Sequence, residues 1–175
     1  MIDLADELGK KTPRYSMKYR RLIEGYARKG AIDFHEKGEK SYDLGKFFTN
    51  FYELYIYSAF IGLSLDNPLP ISDDEDTKTF GVPMRDWTSN GAAQIVQYLW
   101  MSMFVKSNID FNKLENMEQK DVEREMRSIS RSIEAYANGG FDFINSKVTE
   151  NPSFFDDDDC FVKLLKEVDL INIQI

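Results

Sequence analysis

The residues that could carry acid–base chemistry centre on one histidine. His35 lies between Asp33 and Glu36, and no second histidine occurs in the 175 residues. A histidine beside paired carboxylates can serve a hydrolase as general acid or base. The alternative is a solvated loop side chain, and the sequence favours it because no recognisable catalytic pattern accompanies His35.

Recognised catalytic and cofactor motifs are missing from the sequence. It contains no GxxxxGK[ST] or GxGxxG phosphate loop, no GxSxG nucleophile turn and no HExxH zinc motif. With a single histidine, any metal would have to be held by carboxylates. We therefore expect no cofactor and no metal site, and the sequence favours a non-enzymatic role.

Cys160, the single cysteine, directly follows four aspartates at 156–159. Their negative field would raise the pKa of the thiol and oppose thiolate formation, so a nucleophile is not expected here. The aspartate run lacks the spacing of a calcium loop and instead predicts a helix N-terminus capped by carboxylates. A second acidic cluster, 73–76, predicts an exposed loop.

Basic residues near the N-terminus are the feature most suggestive of binding. Residues 1–30 hold eight basic and four acidic side chains, a net charge of +4. Residues 31–175 hold 14 basic and 26 acidic ones, a net charge of −12, so the whole chain carries −8. Thr12-Pro13 predicts a helix start, and the helix would run to about Lys29 before Gly30. One stripe along it would carry the candidate binding residues Lys11, Arg14, Lys18, Arg21 and Arg28.

Three interpretations of this stripe remain open. It could complement the acidic remainder of the same molecule, dock an acidic protein partner, or contact nucleic acid with Tyr15 and Tyr19 stacking on bases. The negative net charge disfavours a general nucleic-acid binder but leaves a local contact possible.

Hydrophobic periodicity predicts an all-α fold: one compact, bundle-like domain of about six helices spanning residues 1–175. The apolar fraction of 42% and the 13 Phe, 9 Tyr and 2 Trp are enough for a substantial core. Asn138-Gly139-Gly140 predicts a helix end of the glycine C-cap type. The predicted helices cover about 12–29, 41–63 capped by Ser41, 89–106, 111–117, 122–136 and 141–148, with 41–63 and 89–106 buried.

Two segments outside these helices are candidates for contact surfaces. A long acidic loop at about 64–90 is rich in Pro, Gly and Asp, and it would expose Phe80 and Trp87. The alternating tail 170–175 would form a short strand or an extended arm. Such an arm could pair with a second copy, which predicts a homodimer.

The sequence shows no signs of export or membrane insertion. Residues 1–9 carry three acidic side chains and no apolar centre, unlike a secretory signal. The most apolar stretches, 51–63 and 92–105, are shorter than the ~20 residues that a spanning helix needs. We expect a cytoplasmic protein with no membrane partner.

Several short blocks resemble a known group of proteins. Residues 42–48 (Tyr-Asp-Leu-Gly-Lys-Phe-Phe), residues 57–63 (Tyr-Ser-Ala-Phe-Ile-Gly-Leu), Pro68 and Ile133-Glu-Ala-Tyr-Ala-Asn-Gly-Gly140 are similar to small helical accessory proteins encoded beside bacterial DNA-modification and phage-defence genes, in particular the DNA-phosphorothioation-associated ones. The resemblance implies an accessory or regulatory subunit of a larger complex, and it implies no catalytic residues in this chain.

Together these features predict a non-enzymatic, helical interaction module that binds a protein partner or self-associates. The candidate surfaces are the basic face, the loop with Trp87, and the tail 170–175. One alternative is a nucleic-acid-contacting accessory subunit of a DNA-modification or phage-defence complex. The other is a hydrolase with an unrecognised carboxylate site near His35.

Overall fold

The computed structural model describes residues 3–27, 47–88, 91–107, 109–114 and 116–170. This part of the chain is mostly helical, as expected, but it is not all-α because two short strands pair in an antiparallel sheet. Its elements are α1 (Leu4–Gly9), β1 (Arg14–Ser16), α2 (Arg20–Tyr26), α3 (Phe51–Ser64), β2 (Thr77–Thr79), α4 (Ala92–Lys106), α5 (Phe111–Leu114), α6 (Gln119–Glu150) and α7 (Cys160–Glu167).

Helix α3 begins later than the sequence predicts. Asn50 is its N-cap, and Glu53 completes a capping box by accepting a hydrogen bond from the backbone N–H of Asn50 at 3.4 Å. Phe47 and Phe48 precede the helix, and both rings pack on Phe161. The predicted cap Ser41 lies outside the described residues.

Helices α3 and α6 cross with their backbones in contact. A Cβ atom on Gly140 would lie 1.8 Å from the carbonyl oxygen of Ser58, and one on Gly62 would lie 2.0 Å from that of Tyr136. Both distances are far below van der Waals contact, and the obstructing atoms belong to helical backbone that cannot rotate away. Only glycine therefore fits at these two positions.

The predicted helix end at Asn138-Gly139-Gly140 is wrong, because these residues lie inside α6, a continuous helix of 32 residues. The predicted helices 122–136 and 141–148 are one helix. Gly139 does not end the helix but lets the backbone at Asn67 pack closely against α6, since a Cβ atom on Gly139 would lie 1.8 Å from the carbonyl oxygen of Asn67. Beside it, buried Asn138 donates from Nδ2 to the carbonyl oxygen of Leu69 at 3.0 Å.

The predicted helix start at Thr12-Pro13 is also wrong. The chain is extended there, and β1 pairs with β2 in the register Arg14↔Thr79 to Ser16↔Thr77. A 3-10 turn follows, and α2 starts only at Arg20. The extended backbone is fixed from outside, because the N–H of Arg14 donates to Glu134 at 2.9 Å and its carbonyl accepts from the Tyr55 hydroxyl at 3.3 Å. These tertiary contacts override the local helix signal.

The described part of the segment 64–90 contains regular structure, and its aromatic residues Phe80 and Trp87 are not exposed. Besides β2, it contains a 3-10 turn at Met84–Asp86. Trp87 is fully buried and stacks on Tyr52 with ring centroids 5.5 Å apart, so the expectation of an exposed Trp87 is wrong. Phe80 is half-buried and stacks on Tyr15 at 4.9 Å. Burial of these large rings outweighs the polar composition around them.

Among the described residues, no helix is both long enough and apolar enough to cross a membrane.

The glycine contacts predict that alanine substitutions at the helix crossing destabilise the protein, whereas one away from the crossing does not. Gly62→Ala or Gly140→Ala forces two helix backbones apart, so we expect each to lower the free energy of unfolding by about 3 kcal/mol or more. Gly25→Ala in α2 is the matched control, since its Cβ meets nothing within 4 Å and unfolding stability should hold or rise by up to about 1 kcal/mol. Urea denaturation measures all three, and an equal loss in all of them would contradict the tight crossing.

Candidate functional site

The structure does not place the predicted basic residues on one helix. Lys11 lies in the connection after α1, where its carbonyl accepts from the Met84 N–H at 3.0 Å. Arg14 is in β1, Lys18 is in the 3-10 turn Met17–Tyr19, and Arg21 is on the exposed side of α2. Arg28 lies outside the described residues. The predicted helical stripe is therefore wrong.

Arg14 is engaged inside the molecule. Its Nη2 and Nε donate to Oε2 of Glu134 at 3.0 and 3.2 Å, and its backbone N–H donates to Oε1 at 2.9 Å. The Glu134 side chain is only 8% exposed. The hydrogen-bonded carboxylate holds the pKa of Arg14 above its ordinary value. This geometry favours the intramolecular interpretation for Arg14, because its charge neutralises a buried acid.

The tyrosines proposed as base-stacking platforms are not accessible. Tyr15 and Tyr19 are 5% and 2% exposed. The Tyr19 hydroxyl donates to Asp142 at 2.8 Å, and burial followed by this bond raises the pKa of the phenol. Lys18 lies over the Tyr19 ring, 4.8 Å from its centroid, and 3.7 Å from Glu75. The predicted nucleic-acid contact thus has no aromatic surface in this region.

Asp66 and Lys106 form an ion pair that shifts the pKa values of both groups away from neutrality. The pKa of Asp66 is lowered by hydrogen bonds from Lys106 and Tyr136, and the pKa of Lys106 is raised by the same carboxylate. Each group thus holds its charge more firmly at neutral pH and is not poised to exchange a proton. The described residues also contain no group of three or more His, Cys, Asp or Glu that could hold a metal. His35, Asp33 and Glu36 lie outside them.

Cys160 is fully buried at the start of α7. Burial raises the pKa of its thiol, and the neighbouring Asp159 contributes less. Asp159 occupies the N-cap position without a side-chain cap bond, so the predicted carboxylate capping is absent at this residue. The aspartates pair with Lys163 instead, at 2.7 Å from Asp157 and 2.9 Å from Asp159.

The outer face of α4 exposes apolar side chains, although the sequence predicts a buried helix. Ile95, Tyr98, Met101 and Val105 are 44%, 53%, 61% and 79% exposed. They recur at steps of three and four and so line one side of the helix. Residues 92–105 contain no charged side chain, and Lys106 is the first to follow. We call these four residues, together with exposed Ser102, the α4 face.

Two adjoining apolar depressions border the α4 face. One has a volume of about 410 Å³ and lies between α3, α4 and α7, and the other, of about 650 Å³, lies between α3 and α4. Phe60 and Leu170 line both of them, and we call the two adjoining depressions together the groove. The groove extends the apolar surface of α4 onto its neighbours, well beyond isolated exposed side chains. Sequence reasoning missed it because it depends on which helices become neighbours.

Helix α6 carries a basic ridge that the sequence analysis also missed. Its members are all exposed and recur at steps of four, three and four: Lys120, Arg124, Arg127 and Arg131. Together with Asp121 and Ser128 they line a shallow depression of about 580 Å³. Arg124 pairs with Asp121 at 2.9 Å. Within the described ranges, Arg127 and Arg131 form no ion pair. The spacing of these four residues in the sequence could have predicted that they lie on one side of a helix.

In comparisons with known proteins, no family model, no curated protein and no solved structure matches this chain.

The Arg14–Glu134 pair predicts a structural cost for removing the arginine. Arg14→Ala leaves a buried carboxylate without its counter-charge, so we expect it to lower the free energy of unfolding by about 2 kcal/mol. Arg20→Ala is the control, because both side chains of the Arg20–Glu24 pair are exposed. Losing this pair should lower the free energy of unfolding by at most about 0.5 kcal/mol. Urea denaturation distinguishes them. Equal small losses would show that Arg14 is not a structural residue.

Proposed function

We propose that this protein works by binding another protein through the α4 face and the groove beside it. The observation that carries the proposal is the exposure of Met101 and Val105, at 61% and 79%, on a helix with no charged residue from 92 to 105. Apolar surface of this kind, continuous with a groove, is typical of a site that is covered in a complex.

The composition of the α4 face supports a protein as the occupant. Tyr and Met are enriched at protein interfaces, whereas charged residues are depleted at interface centres. A methionine side chain also adapts to the shape of a partner. Binding at a membrane surface would favour a rim of lysine and arginine, and α4 carries only Lys106, which is 2.8 Å from Asp66.

This proposal includes the non-enzymatic accessory role implied by the resemblance to proteins of DNA-modification loci, and a cytoplasmic location. Of the three contact surfaces predicted from sequence, the basic stripe is dispersed and Trp87 is buried. Residues 171–175 of the tail lie outside the described residues.

Site-specific photo-crosslinking in the native cells tests the proposal. With p-benzoylphenylalanine in place of Tyr98, we expect a covalent adduct with a protein, identified by mass spectrometry. The matched control places the same group at Val162, which is 41% exposed on α7 and outside the groove. Adding Met101→Asp should remove the adduct at position 98. The same adducts from both positions, or none from position 98, would refute the proposal.

A second candidate function is a nucleic-acid contact, and the basic ridge of α6 favours it over the N-terminal residues. Lys120 to Arg131 spans about 16 Å along the helix at 1.5 Å per residue. Cations spaced by one helical turn can follow successive phosphates of a nucleic-acid backbone. The ridge would supply the electrostatic contact that the dispersed N-terminal residues do not.

Salt-dependent binding to a labelled DNA duplex, followed by fluorescence anisotropy, tests this candidate. Changing Arg127 and Arg131 together to Glu should weaken binding and make the slope of log affinity against log salt shallower by about 2. The double change of Arg20 and Arg21 to Glu on α2 is the control and should leave that slope unaltered. Absence of binding by the wild-type protein at low salt would remove the candidate.

A further inference from the structure

We propose that the protein's own tail, residues 171–175, packs in extended form along the groove and covers it until a protein partner displaces the tail. This arrangement rests on the proposed function, because it regulates access to the same surface. An apolar groove by itself would admit many occupants. Three observations select the tail: the place where the described chain arrives, the pattern of the residues that follow, and their length.

The end of α7 brings the chain to the groove. Val168 is the C-cap of the helix, and Asp169 follows it in the left-handed conformation with a φ of 58°. The N–H of Leu170 donates to the carbonyl oxygen of Leu165 at 2.9 Å, and that of Asp169 donates to Lys166 at 3.1 Å. These two bonds form a Schellman motif, which ends a helix in a defined backbone conformation. The position of Leu170 is therefore set by the end of α7.

Leu170 is itself part of the groove. It lines both depressions, and Phe60 of α3 is the other residue that they share. The hydroxyl of Ser64, at the end of α3, donates to the carbonyl oxygen of Val168. This bond holds the end of α7 against a helix that forms the groove wall. The next residue of the chain thus starts at the groove and needs no linker to reach it.

The residues that follow Leu170 match the groove in chemistry. Their sequence is Ile171-Asn-Ile-Gln-Ile175, in which isoleucine alternates with an amide. Alternate side chains of an extended chain lie on the same side, so the isoleucines share one face and the amides of Asn172 and Gln174 share the other. One face can pack on the apolar walls while the amides meet water. Packing desolvates no charge, because neither 170–175 nor 92–105 contains a charged side chain.

The length of the tail also fits the α4 face. Five extended residues cover about 16 Å. The helix from Ile95 to Val105 covers about 15 Å. Because the tail is attached at the groove, its local concentration there is on the order of millimolar, whatever the protein concentration. A protein partner must therefore compete with the tail for the same apolar side chains.

Thiol accessibility in the full chain tests whether the tail covers the groove. Cys160 is fully buried, so an introduced cysteine is the thiol expected to react with a maleimide reagent. Met101 is 61% exposed among the described residues and Val162, on α7 outside the groove, is 41% exposed. Without the tail, Met101→Cys would react at least as fast as Val162→Cys. With the tail in place, it should react about tenfold or more slowly.

A matched pair of charge substitutions tests which face of the tail is buried. Ile173→Asp places a carboxylate on the apolar face, so it should remove the protection of Met101→Cys. Asn172→Asp adds the same charge on the opposite face and should leave the protection in place. Circular dichroism confirms that each variant folds before its reactivity is interpreted.

Three results would overturn the covering tail. The first is equal reactivity of Met101→Cys with and without Ile173→Asp. The second is an equal loss of protection from Asn172→Asp and Ile173→Asp, which would contradict the alternating face. The third is protection that disappears on dilution from about 1 mM to about 1 µM, because the tail of a second copy would then be the occupant.

The photo-crosslinking experiment separates this arrangement from the proposed function. If both hold, Ile173→Asp should raise the yield of the protein adduct from position 98 several-fold, and Asn172→Asp should not. A protein adduct together with an unprotected Met101→Cys would overturn the tail and leave the proposed function standing. Protection of Met101→Cys with no protein adduct, in the wild-type tail or in Ile173→Asp, would refute the proposed function and leave the tail in the groove.

Discussion

The contact between the backbones of α3 and α6 fixes the position of two buried polar residues of α6, Glu134 and Asn138. Gly62 and Gly140 let the two helices approach until carbonyl oxygens occupy the space of a side chain. On the same stretch of α6, Glu134 holds β1 through Arg14 and Asn138 holds the chain after α3 at Leu69. A shift of α6 relative to α3 would break both sets of bonds together, which explains why this crossing tolerates no Cβ.

The crossing also fixes the position of α4. Asp66, just beyond α3, has a positive φ of 47° and accepts a hydrogen bond from Tyr136 of α6 at 3.1 Å and one from Lys106 at the end of α4 at 2.8 Å. This carboxylate joins the ends of α3 and α4 to the middle of α6. Val96, Leu99, Trp100 and Met103 are buried on the inner side of α4, so Ile95, Tyr98, Met101 and Val105 face outward. The exposed α4 face follows from how the core is assembled.

Local pattern was enough to predict the helical character of the chain and the place of α4, where the apolar run from 89 to 106 matches Ala92–Lys106. It failed where a contact with a residue distant in sequence determines the local structure. Asn138-Gly139-Gly140 has the residues of a helix end, and only the neighbouring α3 shows that they serve close packing. Pro13 precedes a strand because Glu134 and β2 hold it extended. The α4 face and the α6 ridge were present as helical spacing, but which side of a helix meets solvent depends on neighbours far along the chain.

The glycines of the crossing have a consequence for the history of this sequence. Every single-nucleotide change of a glycine codon that alters the amino acid introduces a Cβ atom or ends the chain. Gly62, Gly139 and Gly140 are therefore closed to stepwise substitution unless the helices first move apart, whereas packing sets no such steric limit at the exposed positions of α4 and α6. Distant relatives of this protein should be recognisable by one glycine near the end of a buried aromatic helix and a glycine pair inside a later, uninterrupted one, even where the surface residues have diverged completely.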